Sequence, residues 1–253
     1  MKDSPKTDLT ARLEDMCELA GKRGRPVFSL FFNDREQYDA MTFLKGRNDV
    51  FPVFWGGNSA CSRKMLRLSD RAPDNESFDD FPIYPLTLSF RKADKPGHRD
   101  FLGAFMGLGI KRETVGDIFV GEGTAAVFCT KTARDMISDG ITAVGRIGVS
   151  VSDGISDAAG SVIVPAGFSD LTVNTSSMRT DCVVSAITGL SREKSAAFIR
   201  SGSVMVNYEE CVNVSRNVSE GDILTLRGYG KLVIGGSGAT RKGRIRLDLK
   251  KYI

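Results

Sequence analysis

The spacing of apolar and polar positions divides the 253-residue chain into three stretches. In the first, Leu9, Leu13, Met16, Leu19 and Ala20 recur at helical spacing, and Gly21 is the stop signal. The apolar run at 28–32 predicts a strand. Asp34 and Gln37 stand at capping-box spacing before a second helix that ends near Gly46. Residues 51–55 and 64–68 read as strands around a Gly56-Gly57-Asn58 turn, with Phe51, Phe54 and Trp55 as core rings. Residues 70–80, with Pro73, Asn75 and a run of acids, read as a linker. In the second stretch, 83–90 alternates as a strand, and Asp100 caps a helix over 101–108 that Gly109 closes. Strands at 117–120 and 125–130 flank Gly121-Glu122-Gly123. A helix at 132–139 and a strand at 146–151 follow. That order, β-α-β-β-α-β, is the ferredoxin-like (RRM-like) arrangement. An RNA-reading sheet of this type carries a glycine and two aromatics on its third strand; 125–130 offers only Phe128, so base stacking is not expected there.

In the third stretch a helix at 181–187 breaks at Gly189, and Ser191 caps another that Gly202 ends. A strand at 204–206 turns at Asn207, strands at 223–227 and 232–234 pair, and Gly235-Gly236-Ser237-Gly238 reads as a flexible loop. The fold class is therefore α+β in three small domains, 1–77, 78–175 and 176–253.

A hydrophobic content of 41% with 26% charged residues excludes wholesale disorder. No apolar run reaches the roughly 18 residues of a membrane helix, and the polar N-terminus has no secretory pattern, so a cytoplasmic address is expected. Cys17, Cys61, Cys129, Cys182 and Cys211 are odd in number and lack a CxxC pair, which argues against a disulfide framework and a zinc ribbon. His98 is the one histidine.

Charge is distributed unevenly. Residues 1–177 carry 22 bases against 24 acids, whereas 178–253 carry 13 against 7. From Arg227 to Lys251 there are eight bases and one acid, Asp248. This asymmetry points to a polyanion.

Apparent catalytic motifs fail on context. His98-Arg99-Asp100 spells a kinase triplet, but Phe105 stands where its asparagine belongs. Gly121-x-Gly123-x-x-Ala126 leads into a strand rather than the helix a dinucleotide site needs. No phosphate-loop, GxSxG or metal-ligand spacing occurs, so no catalytic residue, cofactor or metal is expected.

The third stretch keeps a coherent pattern: Arg179-x-Asp181, then Gly189-Leu190-Ser191-Arg192-Glu193-Lys194-Ser195, then Phe198-Ile199-x-x-Gly202-x-Val204-x-Val206-Asn207, then Glu220-Gly221-Asp222-Ile223. It resembles the S-four RNA-binding domain (αL-type). Arg227-Gly228-Tyr229-Gly230-Lys231, the glycine run and Lys242-Gly243-Arg244 resemble the end of the bacterial YlmH family. Upstream, His98-Arg99-Asp100-Phe101-Leu102-Gly103, Leu108-Gly109-Ile110-Lys111-Arg112, Gly116-Asp117-Ile118 and Asp34-Arg35-Glu36-Gln37 extend the likeness in the family's order, as does Gly56-Gly57 ahead of Arg63-Lys64. Thr180, Ser195 and Ser62 depart from the family pattern.

The resemblance implies a non-catalytic, cytoplasmic, monomeric RNA-binding factor. It would bind ribosomal RNA, and tRNA, on the large ribosomal subunit that carries stalled peptidyl-tRNA; links to cell division have also been drawn for the family. The expected RNA contacts are Arg179, Arg192, Lys194, Arg200, Arg227, Lys231, Arg241 and Lys242; of these the resemblance implies Arg179 and Arg192, and the basic charge of the stretch suggests the rest. Arg192 ranks first, because it opens a capped helix whose unsatisfied N–H groups also attract phosphate. Asp181 reads as a cap or an arginine-orienting partner. The alternative is an RNA-modifying enzyme, of pseudouridine synthase or methyltransferase type, that uses the S-four domain to hold substrate; a scaffold binding a membrane or a division protein through the basic tail ranks behind it.

Overall fold

The computed structural model of the protein describes residues 5–72, 78–163, 167–240 and 243–252. The chain forms two compact units, residues 1–165 and 166–253. In chain order the elements of the first are α1 (Pro5–Arg23), β1 (Val27–Phe32), α2 (Asp34–Leu44), β2 (Phe51–Trp55), β3 (Lys64–Ser69), β4 (Tyr84–Ser89), α3 (His98–Gly107), β5 (Val115–Val120), β6 (Thr124–Cys129), α4 (Lys131–Gly140), β7 (Ala143–Val144), β8 (Ile147–Gly148), β9 (Ser150–Asp153) and α5 (Asp157–Gly160). The second contains β10 (Phe168–Thr175), α6 (Thr180–Thr188), α7 (Arg192–Arg200), β11 (Val204–Val206), β12 (Glu209–Glu210), β13 (Ile223–Leu226), β14 (Gly230–Ala239) and β15 (Ile245–Tyr252). No helix among the described residues is long and apolar enough to cross a membrane.

The first unit holds two antiparallel sheets, β1-β3-β2 and β5-β6-β4-β9. The larger has the predicted β-α-β-β-α-β element order, with Phe101, Phe105, Ala133 and Ile137 of its two helices buried against Leu86, Leu88 and Val127. A polar latch ties the two sheets together. Asp117 accepts hydrogen bonds from Ser62 Oγ (3.0 Å) and Arg63 N (2.8 Å), while the Arg63 guanidinium donates to the carbonyls of Val115 and Phe31. The supposed linker also packs: the Phe78 ring stacks on Trp55 at 4.1 Å, and Asp80 pairs with buried Arg67 at 2.8 Å. Pro73 and Asn75 lie outside the described residues.

Caps shift by a residue or more from their predicted places. Asn33, not Asp34, caps α2 in a box with Glu36; Gly97 begins α3, and Asp100 reaches back to its N–H at 2.7 Å. Helix α1 runs through Gly21 to Arg23. The single strand expected at 146–151 is two short ones, because β8 turns back on β7 before β9 joins β4.

The second unit is one six-stranded sheet, order β10-β15-β14-β13-β11-β12, with α6 and α7 on one face. Residues 168–175 were expected in the middle domain. Instead they pair with all of β15, from Phe168↔Tyr252 to Thr175↔Ile245, so the compact unit begins at 166 and not 176. The glycine run 235–238 is no loop. It lies inside β14, where the register against β15 slips between Ile234 and Ser237. A bulge explains the composition: a Cβ on Gly235 would sit 2.9 Å from the Asp248 carbonyl oxygen, whereas one on Gly236 would meet nothing within 4 Å. Gly235→Ala should therefore cost about 1–3 kcal/mol of stability, and Gly236→Ala no more than about 0.5 kcal/mol. Thermal melts of the two variants should separate them in that order.

Candidate nucleic-acid interface

Helix α6 starts on a segment whose backbone is already paired. Arg179 bridges to Asn217, Thr180 donates both its N–H and its hydroxyl to the Arg216 carbonyl (2.8 Å each), and the Asp181 N–H reaches Val214 at 3.1 Å. These contacts leave the α6 start little capacity for an outside anion. They also bury Asp181, whose side chain is 6% exposed.

A buried carboxylate needs donors, and Asp181 has four. Arg179 donates through Nε and Nη2 at 3.1 Å each, Cys182 through its backbone N–H at 3.0 Å, and Arg192 through Nε at 3.2 Å. Burial alone would raise its pKa, but the hydrogen bonds from Arg179, Cys182 and Arg192 outweigh burial and hold it below the ordinary carboxylate value. The same pairing holds Arg179 more firmly protonated.

Arg192 opens α7, where Ser191 accepts the Lys194 N–H at 3.3 Å. Its side chain remains 62% exposed, and its two terminal amino groups have no partner among the described residues. Lys194 is exposed two residues on, beside the acidic Glu193. Two arginines and a lysine thus gather at the mouth of a capped helix, with two of them aimed by one acid.

The other expected contacts lie elsewhere. Arg200 is exposed at the far end of α7, about 12 Å along the axis from Arg192 at 1.5 Å per residue. Arg227 is exposed in the turn after β13, held by its N–H to the Ser203 carbonyl (3.0 Å), and neighbouring Tyr229 packs edge-on against Phe198 of α7. Lys231 is not an open surface cation: its Nζ lies 4.6 Å from the centre of the Tyr252 ring and 4.9 Å from that of Tyr208. Arg241 and Lys242 lie outside the described residues.

Residues 77–156 match the family described as "Putative RNA-binding domain in YlmH". Over 227 residues the chain is 31% identical to the ribosome-associated protein quality control protein P2 of Bacillus subtilis (strain 168), spanning 87% of this chain and 85% of that protein. The chain belongs to the YlmH family. The cell division protein ylmH from Streptococcus pneumoniae, at 19% identity, shares the fold with a TM-score of 0.51 over 61% of this chain and 94% of that one.

In this YlmH-family chain the RNA-binding match falls on the four-stranded sheet of the first unit, not on the basic C-terminal unit. The RNA contacts expected from the sequence all fall between Arg179 and Lys242, outside this matched segment. Its central strand offers no platform, however. All six positions of β6 are buried, and Phe128 is 3% exposed beneath Gly57. Helix α5 is tied to the same face by the Ser156 N–H, which donates to Thr87 Oγ1 at 2.9 Å. Elsewhere on the matched segment Arg99, Lys111 and Arg146 are exposed. Thiol chemistry is also unpromising, since burial pushes Cys61 and Cys129 up to about 12.

Spacing along the sequence suggested Asp181 as a partner of arginine, but not that two arginines share it. Because the folded Asp181 carboxyl titrates below its unfolded value of about 3.9, its stabilisation is complete above that pH and disappears as pH falls through the folded value. Asp181→Asn should cost about 2 kcal/mol at pH 7, and the gap from wild type should close only below about pH 4. Chemical denaturation across pH 2.5–7 (about ten points) measures this; a constant gap refutes the assignment.

Proposed function

We propose that this protein is a non-catalytic RNA-binding factor of the ribosome. It grips ribosomal RNA or tRNA on the large subunit and takes part in quality control of stalled peptidyl-tRNA. The observation that carries the reading is the buried Asp181 holding Arg179 and Arg192 beside the Ser191-capped start of α7. The name of the Bacillus subtilis relative, ribosome-associated protein quality control protein P2, supports the ribosomal setting, and the family match supports RNA as the ligand.

On this reading residues 166–253 are an S-four-type domain. Moving its start to 166 adds one acid, Asp170, and leaves thirteen bases against eight acids, a surplus of five. Arg179, Arg192 and Lys194 take one phosphate region, and the helix-end field of α7 adds to their charge. Arg200 and Arg227, one helix length away, meet a second. The mechanism is positional: phosphate contacts fix where the protein sits and need no bond-making step. The RNA-modifying alternative would have to free the arginine and aspartate of Arg179-Thr180-Asp181, which here bond to each other.

Arg192→Glu is a poor probe, because it would set a second carboxylate against buried Asp181. Arg192→Ala is cleaner. It takes one of four donors from buried Asp181 but leaves Arg179 and the Cys182 N–H in place, so stability should fall by about 1–2 kcal/mol with the fold intact, while affinity for large subunits should fall by about 2 kcal/mol at low salt. Binding should weaken with a log–log salt slope of about 0.7–0.9 per phosphate neutralised. Co-sedimentation with purified large subunits, repeated over a salt series, tests both. Wild-type binding by Arg192→Ala, or binding that ignores salt, overturns the proposal.

A further inference from the structure

The helix-free face of the C-terminal sheet carries a row of rings. Phe168 begins β10 directly opposite Tyr252 of β15, with ring centres 4.6 Å apart. Register places Lys231 of β14 next in line, since Leu232 pairs with Lys251. The Lys231 ammonium lies between the rings of Tyr252 and Tyr208, 4.6 and 4.9 Å from their centres. The row therefore runs ring, ring, cation, ring, from the edge strand β10 across β15 and β14 to the turn between β11 and β12. Leu247, Leu249 and Leu232 on the same strands point the other way, into the core under α6 and α7.

Two features set this row apart from ordinary surface packing. Phe168 stays 50% exposed even with the Tyr252 ring packed against it. Tyr208 also sits where a side chain is strained. Asn207 (φ 52°) and Tyr208 (φ 63°) are the central residues of the two-residue turn joining β11 to β12, and the second of these positions favours glycine. The turn is held firmly: the Asn207 amide donates to Asp222 at 2.8 Å, and its oxygen accepts the Ile223 N–H at 2.8 Å. A rigid turn keeps a large ring in a conformation that glycine would adopt without strain, and that ring is laid over the row.

We propose that this face stacks unpaired RNA bases, two or three nucleotides of a single-stranded segment. Every base has a π-face, so rings bind without sequence preference, and Lys231 holds two of the rings in place. Duplex bases are stacked on each other and cannot reach the rings. Exposed Lys250 borders the row, with Asp170 opposite it. The inference rests on the RNA-binding reading above but concerns a surface separate from the arginine cluster around Asp181.

The test uses the full chain with two fluorescent probes of about a dozen nucleotides: an unstructured A-rich single strand and a blunt RNA duplex of the same length. In anisotropy titrations at low salt, Phe168→Ala and Tyr208→Gly should each lose about tenfold in single-strand affinity and no more than about twofold for the duplex. Tyr208→Gly relieves the turn but gives up the ring's contact with Lys231, so its melting temperature should stay within a few degrees of wild type, which separates lost affinity from unfolding. Unchanged single-strand binding by both variants overturns the inference, as does an equal loss on both probes. Self-association of wild type in sedimentation velocity that disappears in Phe168→Ala, with RNA binding intact, also overturns it, since the face would then serve a second copy of the chain. If wild type binds neither probe nor large subunits, the RNA reading itself fails. If wild type binds and only the ring variants are silent, this inference alone fails.

Discussion

The arrangement of the C-terminal unit depends on one buried negative charge. Moving a carboxylate out of water costs several kcal/mol even after relaxation, so Asp181 is tolerable only while its donors stay in place. Those donors come from three places: the residue before α6, the first turn of α6, and the start of α7. The carboxylate thereby fixes how the two helices begin relative to each other. It also restricts two long side chains that would otherwise sample many rotamers, and ordering such chains in advance lowers the entropy lost when a ligand binds. The net charge left at the helix mouth stays positive, because two guanidinium groups share one acid and Lys194 adds a third cation.

The two larger sheets make opposite use of their faces. In the first unit the β5-β6-β4-β9 sheet is covered on both sides, by α3 and α4 on one and by α5 and the Gly56-Gly57 turn on the other. The latch through Asp117 and Arg63 joins it to the β1-β3-β2 sheet within one compact unit. Among the described residues of the C-terminal unit no helix covers the second face of its sheet, and there polar and aromatic residues alternate with the core-facing leucines of β15. An RRM-like element order thus does not imply an RRM-like binding face, and the open face occurs on a different sheet.

What the sequence made legible was what local rules govern. Ser191 before α7, Gly189 and Gly202 after the two helices, and the turn at 56–58 depend on a few neighbouring residues, and all appear where expected. Strands β10 and β15 were missed because each makes sense only beside the other, across about 70 intervening residues. The alternation of Ile245, Leu247 and Leu249 is present, but it is interleaved with bases that point to a polyanion rather than to a paired strand. The glycine run concealed a bulge, since close approach of the Asp248 carbonyl and true flexibility call for the same residue. At the candidate site, Arg179, Arg192 and Lys194 were accessible from the motif. The placement of Lys231 was not, because Tyr208 and Tyr252 are far from it in sequence and arrive through tertiary pairing.

The two proposed contacts respond to different physics, and the unit has room for both. Phosphate binding at the α7 mouth releases counterions and weakens steeply with salt. Stacking on rings buries apolar surface and is far less sensitive to ionic strength. A ligand that engages both must present a backbone segment and an unpaired base at a fixed separation. Once one contact forms, the second becomes intramolecular, and the product of two modest affinities replaces either alone. A rigid sheet linking the two sites penalises an RNA in which that separation is wrong. Selectivity then comes from geometry, through where duplex gives way to single strand, without any side chain having to read a base edge.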